Sequence, residues 1–221
     1  MNVRPLFTMI AILAGSACAK APPAPPLSPA KASPPTAPAT VGATAPQPAL
    51  GSIVGTIATN PWRAMKGGGV VYLEDGPQDT GVPLSATLDN HDMAFVPSIA
   101  VVAAGGSVIF TNTDPVTHNV FSPDGEKWDL GQIPQRGSVV KRFERPGVYS
   151  VLCNMHPGML AYLVVSPSSH FARAAEDGSF VIKDVPPGTY HVTAWVPRLK
   201  PVTQAVTLGG AETDVRFALE R

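Results

Sequence analysis

Residues 146–159 read Pro-Gly-Val-Tyr-Ser-Val-Leu-Cys-Asn-Met-His-Pro-Gly-Met, and this stretch decides more about the chain than any other. Val148 to Leu152 is a short run rich in β-branched residues. Pro146-Gly147 precedes it and Asn154 and Pro157-Gly158 follow it, as for a strand closed off by turns. The loop after the run carries Cys153, His156 and Met159 in the spacing C-x-x-H-x-x-M. A thiolate, an imidazole and a thioether therefore fall within one short loop. A second imidazole stands well upstream, in Asp114-Pro115-Val116-Thr117-His118-Asn119.

Taken singly, these residues say little. A lone cysteine is most simply a small buried apolar side chain. His91, His170 and His191 have no spacing that ties them to a metal set and read as surface or edge residues. Together, two His, one Cys and a weak, distant Met make the ligand set of blue-copper electron-transfer sites. Thiolate and thioether favour Cu(I) and imidazole suits Cu(II), so a rigid site between the two geometries rearranges little when one electron moves. Structural zinc favours four Cys or His ligands, with Met a poor partner. Iron–sulfur clusters need more cysteines than the two present, and haem attachment needs a second Cys ahead of a Cys-His pair. The expectation is one copper ion on His118, Cys153, His156 and Met159. Met155, two positions after Cys153, is expected to point away and pack. Trp128, Tyr149 and Trp195 are most simply core aromatics.

Outward from this loop the chain continues as short strands. Ile53–Ile57, Val70–Leu73, Ile99–Val102, Ser107–Thr111, Val139–Phe143 and Ala161–Val165 are β-rich runs bounded by Gly, Pro, Asn or Asp, as in an all-β sandwich. The C-terminal stretch shows hairpin markers. Asp177-Gly178 separates Ala174-Ala175 from Phe180-Val181-Ile182, and Gly209-Gly210 separates Val206–Leu208 from Val215, Phe217 and Leu219. Pro186-Pro187-Gly188 precedes the alternating Tyr190, Val192, Ala194 and Val196. These predict a second small β-module, and no helix of normal length is expected after residue 20.

Composition agrees. Charged residues make up only 14%, while Gly (20) and Pro (25) are abundant, a profile of strands and turns. The 16 basic and 16 acidic residues leave a formal net charge of +0, so nothing argues for a polyanionic partner, and no nucleic acid is expected. Residues 1–19 read as an export signal: Arg4, an apolar run from Leu6 to Ala14, then small residues. Ala17-Cys18-Ala19 fits cleavage after Ala19. The other reading is a lipoprotein cleaved before Cys18 and acylated on it, although Gly15 stands where such signals usually have Leu. Both readings stay open. Residues 20–50 are dominated by Ala and Pro and form a disordered linker, whose reach in polyproline form is on the order of 90 Å. With Cys18 in the targeting region, Cys153 is the single thiol of the folded part, and a disulfide there is excluded. An exported lone thiol oxidises unless burial or a metal protects it.

Phe95-Val96-Pro97-Ser98-Ile99, Ala104–Asn112, His118-Asn119-Val120, Pro146-Gly147-Val148-Tyr149 and then Cys153, His156 and Met159 resemble, in order, the cupredoxin (blue copper) family over roughly residues 80–166. The short C-x-x-H-x-x-M loop with Pro after the His is similar to amicyanin, and plastocyanin has a longer one. The look-alikes are of the methylamine-utilisation type. The resemblance implies a Greek-key β-sandwich with His118, Cys153 and His156 in the copper plane and Met159 axial. It also implies Asn119 as a brace bonded across to the ligand loop. A further resemblance covers the flanks: Asp177-Gly178-Ser179-Phe180-Val181-Ile182 and Val185-Pro186-Pro187-Gly188-Thr189-Tyr190 look like a carboxypeptidase-regulatory-like, transthyretin-type β-module. That family opens with strands of the Gly51–Ile57 and Val70–Leu73 kind. The expected organisation is one discontinuous module, residues 51–75 plus 168–221, with a cupredoxin domain, residues 76–167, inserted in it.

The implied function is one-electron transfer between transient redox protein partners in the periplasm, either free or membrane-attached through Cys18. Enzyme activity is not expected: no Ser-His-Asp order stands out and no His-x-His pair supplies a second copper site. Two other classes share these residues. One is copper storage or delivery, and the other a structural envelope protein with incidental metal.

Overall fold

The computed structural model describes residues 49–59, 68–78 and 85–221. The export signal, Cys18 and the linker as far as residue 48 lie outside the described residues. The described chain is all-β. In order the strands are β1 (Gly51–Thr59), β2 (Gly69–Leu73), β3 (Ser85–His91), β4 (Ala94–Val96), β5 (Ile99–Ala103) and β6 (Gly106–Asn112). Then come β7 (His118–Ser122), β8 (Trp128–Ile133), β9 (Ser138–Phe143), β10 (Gly147–Leu152) and β11 (Leu160–Ser166). The last are β12 (Phe171–Ala174), β13 (Ser179–Val185), β14 (Gly188–Trp195), β15 (Val202–Leu208) and β16 (Glu212–Leu219).

Strands β3 to β11 build the first sandwich. A five-stranded sheet, ordered β5-β11-β10-β7-β8, faces a four-stranded sheet, β4-β3-β6-β9. Period-two alternation sets the inner faces: in β6, Val108 and Phe110 are buried while Ile109 and Thr111 are only partly so. Leu88, Phe110, Val120, Trp128, Ile133, Phe143 and Leu163 fill the space between the sheets. The core runs up to Cys153 and Met159 at one end, so the sandwich is closed there by side chains of the segment between β10 and β11.

The second sandwich unites the two ends of the described chain. Sheet β13-β1-β16 packs on sheet β12-β2-β14-β15 around Ile53, Leu73, Ile182, Leu208 and Phe217. Strand β1 runs parallel to β16, Ile53 opposite Thr213 and Ile57 opposite Phe217, and antiparallel to β13. Strand β2 is flanked by β12 and β14. The strands before the first sandwich thus pair only with strands after it.

The expected hairpins at Asp177-Gly178 and Gly209-Gly210 are not hairpins. Strands β12 and β13 lie in different sheets, as do β15 and β16, so both turns cross the core. The physical reason is β1. It inserts between β13 and β16 and takes the hydrogen bonds that direct partners would have used. Gly178 (φ 86°) makes the first crossing, and its carbonyl accepts from the Ile57 N–H (2.9 Å). A Cβ there would sit 2.2 Å from the Ile57 carbonyl oxygen. The true hairpin of this module is β14–β15.

The two sandwiches share an apolar layer. Val70 of β2, Trp195 of β14, Ile99 of β5 and Val164 of β11 are buried together, with Tyr72 and Tyr162 packed on them. The Tyr162 and Trp195 rings meet edge to face at 5.3 Å. His170, expected at the surface, is buried at the crossing from β11 to β12. Its Nδ1 lies 3.3 Å from the Pro77 carbonyl and its Nε2 3.1 Å from the Asp184 carbonyl. Trp195 is a buried core aromatic as expected, and the core it joins is the layer between the sandwiches.

Candidate metal centre

Two loops meet at the end of the first sandwich. The first, residues 112–118, leads from β6 into β7. Asn112 stabilises it from within: its Oδ1 accepts from the Asp114 N–H (3.0 Å), and its Nδ2 donates to the carbonyls of Val116 and Ile133 (2.8 Å each). These are the local side-chain bonds that favour Asn in loops. The loop delivers His118 as the first residue of β7, with no exposed surface.

The second loop, residues 153–159, joins β10 to β11, which pair from Gly147–Val165 to Leu152–Leu160. That pairing fixes both ends of the loop. Gly158 (φ 90°) supplies the left-handed turn that brings the chain back from His156 to Met159. Cys153 and Met159 are buried in the core cluster, His156 is half-buried, and Asn154 and Met155 are exposed. Met155 thus points away from the core.

The donor atoms converge. Cys153 Sγ lies 4.0 Å from His118 Nδ1 and 3.7 Å from His156 Nδ1, and the two Nδ1 atoms are 3.1 Å apart. The imidazole rings are edge to face at 4.6 Å. Met159 is near the same three residues. A point equidistant from the three atoms, in their plane, is about 2.1 Å from each, compared with about 2.0–2.1 Å for a zinc–imidazole and ~2.3 Å for a zinc–thiolate bond. The triangle therefore fits one first-row transition metal ion. Thiolate plus two imidazoles is also the donor set such ions prefer. Among the described residues, this is the one group of three or more His, Cys, Asp or Glu side chains arranged to hold a metal.

Asn119 joins the two loops. Its Oδ1 accepts from the Asn154 N–H (3.4 Å), while its Nδ2 donates to Asp129 Oδ1 (2.7 Å) and to the Gly131 carbonyl (3.2 Å). Sequence reasoning passed over Asp114, whose Oδ2 sits 2.8 Å from His118 Nε2. Burial pushes the Asp114 carboxyl up. The N–H of Met93, the His118 ring and the N–H of Asp92 outweigh burial and hold it below the ordinary carboxylate range. The only available signal was its place four residues before the histidine in an Asn-Thr-Asp loop, which by itself marks a turn.

Comparison with known proteins bears on the same region. A family model described as copper binding proteins, plastocyanin/azurin family, matches residues 82–166. A second, described as polysaccharide lyase family 4, domain II, matches residues 168–215. Plastocyanin from Ulva pertusa is 32% identical over 80 residues, covering 32% of this chain and 82% of that protein. A purple cupredoxin from Nitrosopumilus maritimus is 24% identical with a TM-score of 0.34, over 37% of this chain and 99% of that one. An amicyanin mutant in its Cu(I) form is 18% identical with a TM-score of 0.35, over 43% of this chain and 98% of that one. Copper is the family's metal, and the donor triangle suits it. By its relationship to plastocyanin across residues 82–166, the chain belongs to the plastocyanin/azurin family of copper-binding proteins.

Proposed function

We propose that the protein is a one-electron carrier of the periplasm, working through a single type 1 copper that His118, Cys153, His156 and Met159 would hold. The convergence of three donor atoms from two loops, one imidazole sealed and one half-exposed, carries this reading. Copper in that position supplies a Cu(I)/Cu(II) couple. Cys153 and Met159 bring the soft donors that suit Cu(I), and His118 and His156 the imidazoles that suit Cu(II). Because strand pairing and the Asn119 bridge fix both loops, the donors hold their separations through a change of charge.

His156 is the ring through which electrons enter and leave, since His118 has no exposed surface. In the same loop, Pro157 and Gly158 are exposed and Met155 stands 42% exposed, and Leu160 just after it is half-buried. These residues form an apolar patch for partners that dock briefly. With Met159 as the fourth donor, the bound copper would have no open position for a substrate, which supports a carrier over an enzyme.

In the same reading, the carrier is an insert, residues 76–167, within a discontinuous β-module, residues 51–75 plus 168–221. The pairing of β2 with β12 and β14 supports that division. The expected test result for the whole reading is an intense thiolate-to-copper visible band and a narrow EPR hyperfine splitting on adding Cu(II). Folded, copper-loaded protein without that band would remove the type 1 assignment. The mass of the mature N-terminus distinguishes a soluble chain beginning at Lys20 from one acylated on Cys18.

A further inference from the structure

We infer that Asp114 is a positioning residue for this centre: its carboxylate locks the buried His118 ring with Nδ1 turned toward the other donors and, as an anion against Nε2–H, favours Cu(II) over Cu(I). The inference rests on the copper reading above. His118 is sealed from solvent, so its second nitrogen must find a partner inside the protein. That partner is Asp114 Oδ2 at 2.8 Å, itself only 5% exposed. A carboxylate only accepts, so Nε2 carries a proton, and Nδ1, the atom that faces Cys153 and His156, is left as the nitrogen that can hold a metal.

The carboxylate is itself fixed. Its Oδ1 accepts from the Asp92 N–H (2.6 Å) and its Oδ2 from the Met93 N–H (3.0 Å) as well as from the ring. Asp92 and Met93 are both left-handed (φ 49° and 57°), and in the turn between β3 and β4 both of their N–H groups bond this one side chain. Three donors thus hold two oxygens in place, and the ring orientation is built into the fold. An amide cannot reproduce this. At either position its NH2 would face a donor, the Asp92 N–H on one side or the Met93 N–H and the His118 ring on the other. Electrostatically, a buried anion hydrogen-bonded to a ligating imidazole raises the basicity of the other nitrogen, which counts for more with the more highly charged ion.

Two measurements test it. In the copper-free full chain, 15N-resolved NMR is expected to find His118 unprotonated at Nδ1, with a slowly exchanging Nε2–H. In Asp114→Asn, binding of Cu(II) relative to Cu(I) is expected to weaken about 10–100-fold, a rise in reduction potential of about 60–120 mV at 59 mV per tenfold, with the thiolate band retained. A residue that only stabilised the fold would lower the unfolding midpoint and leave the potential alone. The inference is overturned if His118 carries its proton on Nδ1, or if copper-loaded Asp114→Asn has the wild-type potential. Should that variant not fold, the wild-type tautomer decides. Failure of the copper reading is separate: wild-type protein would bind Cu(II) without a thiolate band, whatever the tautomer.

Discussion

The two sandwiches use the same local devices and fill their interiors differently. Each enters a long strand through Pro-Gly-x-Tyr. Tyr149 donates to the Arg145 carbonyl (3.0 Å) and Tyr190 to the Pro186 carbonyl (2.9 Å), four residues back in both cases. Inside, they diverge. The flanking sandwich closes over Ile53, Leu73, Ile182, Leu208 and Phe217, an apolar interior. The first sandwich buries Asn90, Asn112, Asp114, His118 and Asn119 around its loop end. Buried polar side chains contribute little net stability even when each finds a partner, and they are costly when one is lost. The first sandwich gives up close apolar packing at that end and gains a rigid, polar-backed set of donors. The second has the body of a scaffold.

Cys153→Ala removes the thiolate, and the visible band should vanish completely on addition of Cu(II). The fold should survive, because trimming a small, 8% exposed side chain costs only about 1 kcal/mol. A persisting intense band would mean that the metal is elsewhere. The counterpart is Phe217→Ala. Phe217 is 1% exposed, in contact with Phe180 at 6.1 Å between ring centroids. Truncation there should cost about 3–5 kcal/mol in denaturant unfolding. The copper spectrum of the protein that remains folded should not move. A shifted band would show that the scaffold interior sets the geometry of the site.

Most of this division was legible in the residues. Alternation with period two marks strands and their buried faces, so Val108 and Phe110 of β6 or Tyr190 and Val192 of β14 could be placed inward without coordinates. The donors were legible because type and spacing both matter to a metal: Cys153, His156 and Met159 crowd one short loop with soft and borderline donors that packing alone does not call for. What alternation does not encode is which sheet a strand joins. The pairing of β1 with β16 is between residues some 160 positions apart in the chain, and it turned Asp177-Gly178 and Gly209-Gly210 from hairpin turns into crossings. Asp114 and His170 were missed for a related reason. Their roles depend on partners such as Met93 and Pro77 that are distant in sequence, and residue type alone places both at the surface.

A smaller effect is expected where the two loops are tied together. Asn119→Ala deletes the acceptor of the Asn154 N–H and the donor to Asp129 and Gly131, and leaves those groups without this partner. Asp129, Gly131 and Asn154 are exposed and can turn to water, so the stability loss should be only about 0.5–1.5 kcal/mol. The more telling readout is copper retention under a chelator, since outer partners of metal ligands are typically worth about 10–100-fold in affinity. Unchanged retention at reduced stability would reassign Asn119 to the fold alone and bring the first sandwich closer to the second in kind.

The smallest effect concerns the layer between the sandwiches. Tyr72 of β2 packs against that layer, and burial, with the Glu74 carboxylate as a second cause, pushes its phenol up to about 12. The folded value lies above the ordinary 10.0, so the neutral ring contributes its full stability below about pH 10 and loses it as the pH rises toward 12. Alkali should therefore weaken the contact between the sandwiches, and Tyr149, whose phenol burial also raises, adds a fall within the first core that Tyr72→Phe leaves in place. Tyr72→Phe should flatten the fall in unfolding midpoint over that interval and leave the midpoint at neutral pH almost unchanged. Its phenolate absorbance should be the part of the alkaline titration that disappears. If the wild type and Tyr72→Phe lose stability in parallel between pH 10 and 12, the layer is held by Val70, Ile99, Val164 and Trp195 alone, and the tyrosine is a bystander at its rim.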